Sequence, residues 1–315
     1  MKGVIKHKLP KTREEWLYDR LKGIGGSDVG AVLGLNKYKS AYTLWAEKCG
    51  LLQDEEEDNE AMRVGRDLEQ YVADRFTEAT GKKIRKSGFS FQSEKHPFML
   101  ANVDRLIVGE KAGLECKTAS ALTRCDFENG DIPPSYYCQC MHYMAVTGFE
   151  KWYIAVLVMG KGFFWYEINR NEEEIEALIK AEGDFWEMVK QGNAPDVDGS
   201  ESTKNTLNTR WQSQVKSCVL GHEAEDSVKE LLSIKKRIKA LKELQVSYEN
   251  SIKAEMEDAE AAELENVMIK WKTSKSMTFD RDKFKKENPE LFKQYLKEST
   301  QRKFYVKEKK RKLEL

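Results

Sequence analysis

At 315 residues the chain is long enough for one sizeable core plus an appendage. Basic and acidic residues both total 53, so the whole-chain charge gives no sign of a polyanion partner. The local balance differs, with sixteen Lys/Arg against seven Asp/Glu from Val267 to Leu315 and a purely acidic run at Asp54–Asp58. No apolar leader follows Met1-Lys2-Gly3 and no run reaches the roughly 18 residues of a membrane span, so a soluble, cytoplasmic protein without a membrane partner is expected.

Six cysteines without a CxxC pair, and four scattered histidines, speak for a reducing compartment and against structural zinc. The first third is helical in pattern. Thr12 caps a helix over Thr12–Lys22, and the glycines of "GIGGSDVGAVLGL" open a loop onto a second helix N-terminus. From about Ala61 to Thr80, Val64, Leu68, Tyr71, Val72 and Phe76 recur at helical spacing and Gly81 stops the run. Glu69 lies beside that stripe.

Between Gly88 and Ser120 the period falls to two. Met99 to Val108 is expected as one strand, "GEKAG" as a turn and Leu114 to Thr118 as the partner strand. A helix over Ser135–Val146 leads to two aromatic strands about Gly160-Lys161-Gly162. Asn171 then caps an amphipathic helix. This order predicts an α/β core with a central mixed sheet flanked by helices.

Beyond Gly192, residues 196–224 are expected as a linker or surface loop. Residues 225–266 form one long helix, packed on its own domain or in a short coiled coil, and 267–315 a basic α/β segment. In that last segment "NVMIKWKTSK" and "RKFYVKEK" look like strands around a helix near Phe279–Lys297.

Two strand positions apart, Glu115 and Lys117 project to one side, and a hairpin that sets Asp104 near Glu115 gathers two carboxylates and an ammonium. Such buried charges must be solvated, paired or neutralised by a cation, and a hard divalent ion is the economical answer. As a spacing alone, D-x10-E-x-K is weak in a chain that is 34% charged. Its neighbours add weight: Arg20 seven residues before Ser27, Glu69 in "GRDLE", and Gln139 with Tyr143 one helical turn apart in "YYCQCMHYMAVTG". His142 in that helix is expected to be a satisfied polar side chain in the packing.

In this order the motifs resemble the lambda-exonuclease-like, YqaJ-type viral recombinases of the PD-(D/E)xK nuclease superfamily. The resemblance covers about residues 12–190, and the ending "KWKTSK…FKKENPELFKQYLKES" is similar as well. It implies a restriction-endonuclease-like fold and assigns residues 1–195 to the exonuclease core. It implies that Asp104, Glu115 and the Cys116 backbone carbonyl bind metal, with Glu69 assisting through water. Lys117 would aid water activation, Gln139 would position, and Arg20, Ser27 and Tyr143 would contact the 5′-phosphate or DNA. Val103 and Asn102 depart from the family pattern before the acid, and Met141 replaces a second glutamine.

The implied activity is 5′→3′ exonucleolysis at double-stranded DNA ends, leaving 3′ single-stranded tails for phage-type recombination. The implied cofactor is Mg²⁺, with Mn²⁺ able to substitute, and no Fe–S cluster is expected because only Cys218 lies beyond Cys140. A homotrimeric ring, a single-strand annealing partner and a bacterial or phage-infected host cell are implied too. The alternatives are an endonuclease of the same fold and a non-catalytic DNA-binding scaffold.

Overall fold

The computed structural model describes residues 3–52, 59–123, 125, 127–211, 217–298 and 302–308; the acidic run at 54–58 lies outside them. The chain divides into two units, residues 1–212 and 213–315.

The first unit begins with strand β1 (Val4–Lys8), in a stretch whose sequence looked helical, and helix α1 (Arg13–Arg20), where the Thr12 hydroxyl accepts the Glu15 amide. Strand β2 (Ile24–Gly25), one-turn helix α2 (Val29–Val32), α3 (Ala41–Lys48) and α4 (Glu60–Thr80) follow. The left-handed Gly81 closes α4 at φ 70°. Strands β3 (Ile84–Lys86), β4 (Phe89–Ser93), β5 (Met99–Ala101), β6 (Arg105–Ile107) and β7 (Ala112–Ala119) lead to α5 (Pro134–Thr147). Then come β8 (Lys151–Val158), β9 (Gly162–Asn169), α6 (Glu172–Gln191) and α7 (Glu201–Arg210).

Two sheets result: β1-β4-β5-β2, and a mixed sheet β3-β6-β7-β8-β9 in which only β7 and β8 run parallel. Strand β8 is apolar on both sides because both are covered. Trp152, Ile154 and Val156 join the main core, while Tyr153 and Ala155 join Val72 and Phe76 of α4.

The stretch expected as one strand from Met99 to Val108 is two, one in each sheet. Asp104 falls at the crossing, and its Oδ2 accepts the Cys116 amide at 2.8 Å, so a side chain takes over where backbone pairing stops. The helix after the glycine loop is a single turn. Residues 196–224 are not a linker throughout, because α7 docks on α3. Buried Thr203 donates to Ser40 at 2.8 Å, and Thr206 shares a 2.8 Å hydrogen bond with Thr43. A helix attached through hydroxyls carries no apolar stripe, which is why hydrophobic periodicity missed it.

The second unit holds α8 (His222–Met256), the hairpin β10 (Ala261–Leu264) with β11 (Val267–Lys270), and helices α9 (Arg281–Glu287) and α10 (Pro289–Gln294). The long helix therefore ends ten residues before 266, because residues 261–270 pair about a Glu265-Asn266 turn instead. The helix expected near 279–297 breaks at Asn288, where Pro289 starts a new one. Residues 302–308, expected as a strand, have no regular structure.

Candidate active site

Arg105 pairs with Leu114, and the same register continued by one residue sets Asp104 across from Glu115. Strand alternation turns Leu114 and Cys116 toward α4 and sends Glu115 and Lys117 to the α5 side. Glu115 is 3% exposed. Its Oε1 accepts from Lys117 Nζ at 2.7 Å and from Gln139 Nε2 at 2.7 Å, while its Oε2 is buried without a partner. A buried carboxylate oxygen without a donor is costly, so the site calls for a cation or a donated hydrogen.

Burial first, and Glu115 second, raise the Asp104 carboxyl well above its ordinary range. Burial alone would lower Lys117, but Glu115 and its hydrogen bond outweigh that and keep the ammonium protonated, 5.1 Å above the Tyr136 ring. Among the described residues no three acidic, histidine or cysteine side chains converge as a metal cage. Two neighbouring carboxylates still suit a hard cation that keeps waters and phosphate oxygens as its other ligands. The orphaned Glu115 oxygen fits that donor set.

Glu69 is brought to the edge of this group but is already engaged. Arg105 Nη1 donates to its Oε1 at 2.5 Å and to the Asp104 carbonyl at 2.8 Å, and Arg105 Nη2 donates to Gln70 at 3.0 Å. Arg105, 3% exposed, thus ties α4 to the start of β6, directly after the acid. Sequence reasoning passed over it, although its place directly after Asp104 is a signal. Tyr143, expected to touch DNA, is 3% exposed and does something else. It accepts from Gln139 at 2.8 Å, packs on Trp152 at 5.0 Å between ring centroids and lies against Gly26. A Cβ on Gly26 would meet the ring at 2.5 Å, so only glycine lets the loop lie flat there.

Ser27 is exposed in a 3₁₀ turn, Gly26–Asp28. Its neighbour Asp28, missed from the sequence, is 2% exposed and fully partnered. Oδ1 accepts from Arg20 at 2.9 Å, and Oδ2 from Lys48 Nζ at 2.7 Å and from the Gly25 amide at 3.0 Å. Burial would raise this carboxyl, but Lys48 and Arg20 together hold it well below the usual carboxylate range. Lys48 is the buried cation at the end of the apolar helix "AYTLWAEK", a visible oddity. Arg20 also stacks 4.8 Å from the Trp16 ring, and Arg20, Gly25 and Asn102 share the wall of a cleft of about 140 Å³. His142 is buried, with Nδ1 on Glu182 at 2.8 Å and Nε2 on the Leu100 carbonyl at 2.8 Å, which makes it a packing residue with both nitrogens satisfied.

Among the described residues no helix is long and apolar enough to cross a membrane. Residues 15–150 match the sequence pattern of the YqaJ-like viral recombinase domain. The protein YqaJ of Bacillus subtilis strain 168 is 40% identical over 302 residues, covering 94% of this chain and 95% of its own. Two solved structures are similar over the first part of the chain. An alkaline exonuclease from Laribacter hongkongensis shares 21% identity over 57% of this chain and 94% of its own, with a TM-score of 0.45. A phage-related exonuclease from Haemophilus somnus 129PT shares 13% over 54% and 96%, with a TM-score of 0.43. The near full-length kinship with YqaJ and the match across the segment that builds the site place this chain in the YqaJ-like viral recombinase family.

Proposed function

We propose that the protein is a divalent-metal-dependent DNA nuclease of phage-type recombination, working 5′→3′ from double-stranded ends and leaving 3′ single-stranded tails. The observation that carries this reading is the buried, unpartnered Oε2 of Glu115 beside Asp104, Lys117 and Gln139. Asp104, Glu115 and the Cys116 carbonyl would hold Mg²⁺ or Mn²⁺, with Glu69 reaching it through water. When bound, the ion supplies Lewis-acid polarisation of the phosphate and a more acidic water.

The protein's own groups account for the rest. Gln139 holds Glu115 in place, and Tyr143 in turn fixes Gln139. The protonated Lys117 offers a compact positive charge to the pentavalent phosphorane as charge builds on its oxygens. Arg20 and Asn102 make the cleft beside the glycine loop a receptor for a terminal 5′-phosphate, with Asp28 orienting the arginine and the exposed Ser27 of the adjoining turn assigned to the same phosphate on family grounds alone. A homotrimer and a single-strand annealing partner complete the proposal on family grounds.

The test uses linear duplex DNA with one 5′ end phosphorylated and the other bearing a hydroxyl, incubated with Mg²⁺ and either wild type or Lys117→Ala. Nucleotide release starting from the phosphorylated 5′ end by wild type alone is expected. Cutting of a closed circular plasmid would instead establish an endonuclease, and intact duplex binding without release from either protein would establish a scaffold.

A further inference from the structure

The second unit has a surface that the nuclease site does not use. From Val267 onward, aromatic residues recur, each beside basic ones: Lys270-Trp271-Lys272, Phe279 near Arg281, Tyr295 between Lys293 and Lys297, and Arg302-Lys303-Phe304-Tyr305 ahead of Lys307. Their exposure is unusual for side chains of this size: Trp271 46%, Phe279 72%, Tyr295 81%, Phe304 79% and Tyr305 70%. A folded surface hides such rings unless something else covers them.

We propose that the exposed aromatic and basic side chains of residues 267–298 and 302–308 bind single-stranded DNA. Three observations select that occupant. A protein-binding face would be rich in aromatics but poor in lysine, whereas here lysine or arginine accompanies every exposed ring. Duplex DNA keeps its bases stacked and offers nothing to a free ring, whereas unpaired bases stack on aromatic faces while the phosphates meet the cations. The helices here are also short, seven residues in α9 and six in α10, with Phe292 of α10 already covered by Arg281 and Lys285, so neither presents a long reading helix to a major groove. The excess of nine positive charges over 267–315 supplies the polyanion attraction that the neutral chain as a whole lacks.

The inference rests on the nuclease reading only for its purpose, retention of the strand that digestion exposes. Binding is therefore measured without catalysis: full-length Lys117→Ala, in EDTA, titrated against fluorescein-labelled oligo(dT) of thirty nucleotides and against a duplex of equal length. The expected result is tighter binding of the single strand, weakening steeply with salt. Combined Trp271→Ala, Phe304→Ala and Tyr305→Ala should lower affinity at least tenfold. Lys270→Gln with Lys272→Gln should flatten the salt dependence while the far-ultraviolet spectrum is unchanged.

Affinity untouched by the aromatic substitutions, or equal affinity for the duplex, would overturn the proposal. In the first case the rings would be left to a protein partner. Failure of wild type to release nucleotides, with oligo(dT) binding intact, would strike the nuclease reading alone.

Discussion

The acid–lysine constellations around Asp28 and around Glu115 are built to opposite ends. Around Asp28 both carboxylate oxygens have partners, and the two cations hold the carboxyl ionised. Around Glu115 one oxygen has none, and Asp104 is pushed the other way, toward a proton or a cation. The same residue types thus give a closed structural knot in one place and an open chemical site in the other. What separates them is whether the local donors outnumber the carboxylate oxygens.

Removing one cation from the closed knot should have the largest effect. Lys48→Met leaves Asp28 buried and under-compensated, at a cost of about 3–5 kcal/mol in urea unfolding. Lys117→Ala, by contrast, should lower nucleotide release by about a hundredfold or more while costing less than Lys48→Met in urea unfolding, because Lys117 is partly exposed and Glu115 keeps its Gln139 donor. If the two losses were exchanged, the distinction between knot and site would fail.

The open site should also respond to a divalent cation. Mg²⁺ at about a hundred times its dissociation constant should stabilise wild type by about 2.7 kcal/mol in calorimetry, and Asp104→Asn should abolish that gain. Without metal, Asp104→Asn should unfold at the same temperature or slightly higher, because it relieves the pressure between two buried carboxylates.

Acid gives the mildest contrast. The Asp28 carboxyl is depressed below its ordinary 3.8, so its contribution is present above about pH 4 and is lost as pH falls below that. Burial lowers His142, but Glu182 outweighs it and the net shift is upward from 6.5. Its contribution is therefore full below that value and fades as pH rises past it. Thermal midpoints from pH 2 to 9 should fall at the acid end in wild type and decline gently on the alkaline side. His142→Gln should remove only the alkaline decline.

The nearness of Asp104, Glu115 and Lys117 was legible because strand period and a short turn fix it locally, and that of Gln139 and Tyr143 because a helical turn does. What could not be read depends on distant partners. Lys48 finds Asp28 twenty residues away, and Arg105 binds one oxygen of Glu69 thirty-six residues away. The crossing between sheets at Asp104 was hidden because the apolar letters continue on either side of it. Helix α7 was hidden because hydroxyls make its buried hydrogen bonds and Leu207 is its single apolar residue, too few for a stripe.

The contact between Gly26 and Tyr143 leaves no room for one methyl group. The loop that carries Ser27 and the helix that carries Gln139 are therefore held apart by the thickness of a single aromatic ring. That ring acts as the jaw gauge of a caliper, setting a length between the glycine loop and helix α5 that neither element can alter alone.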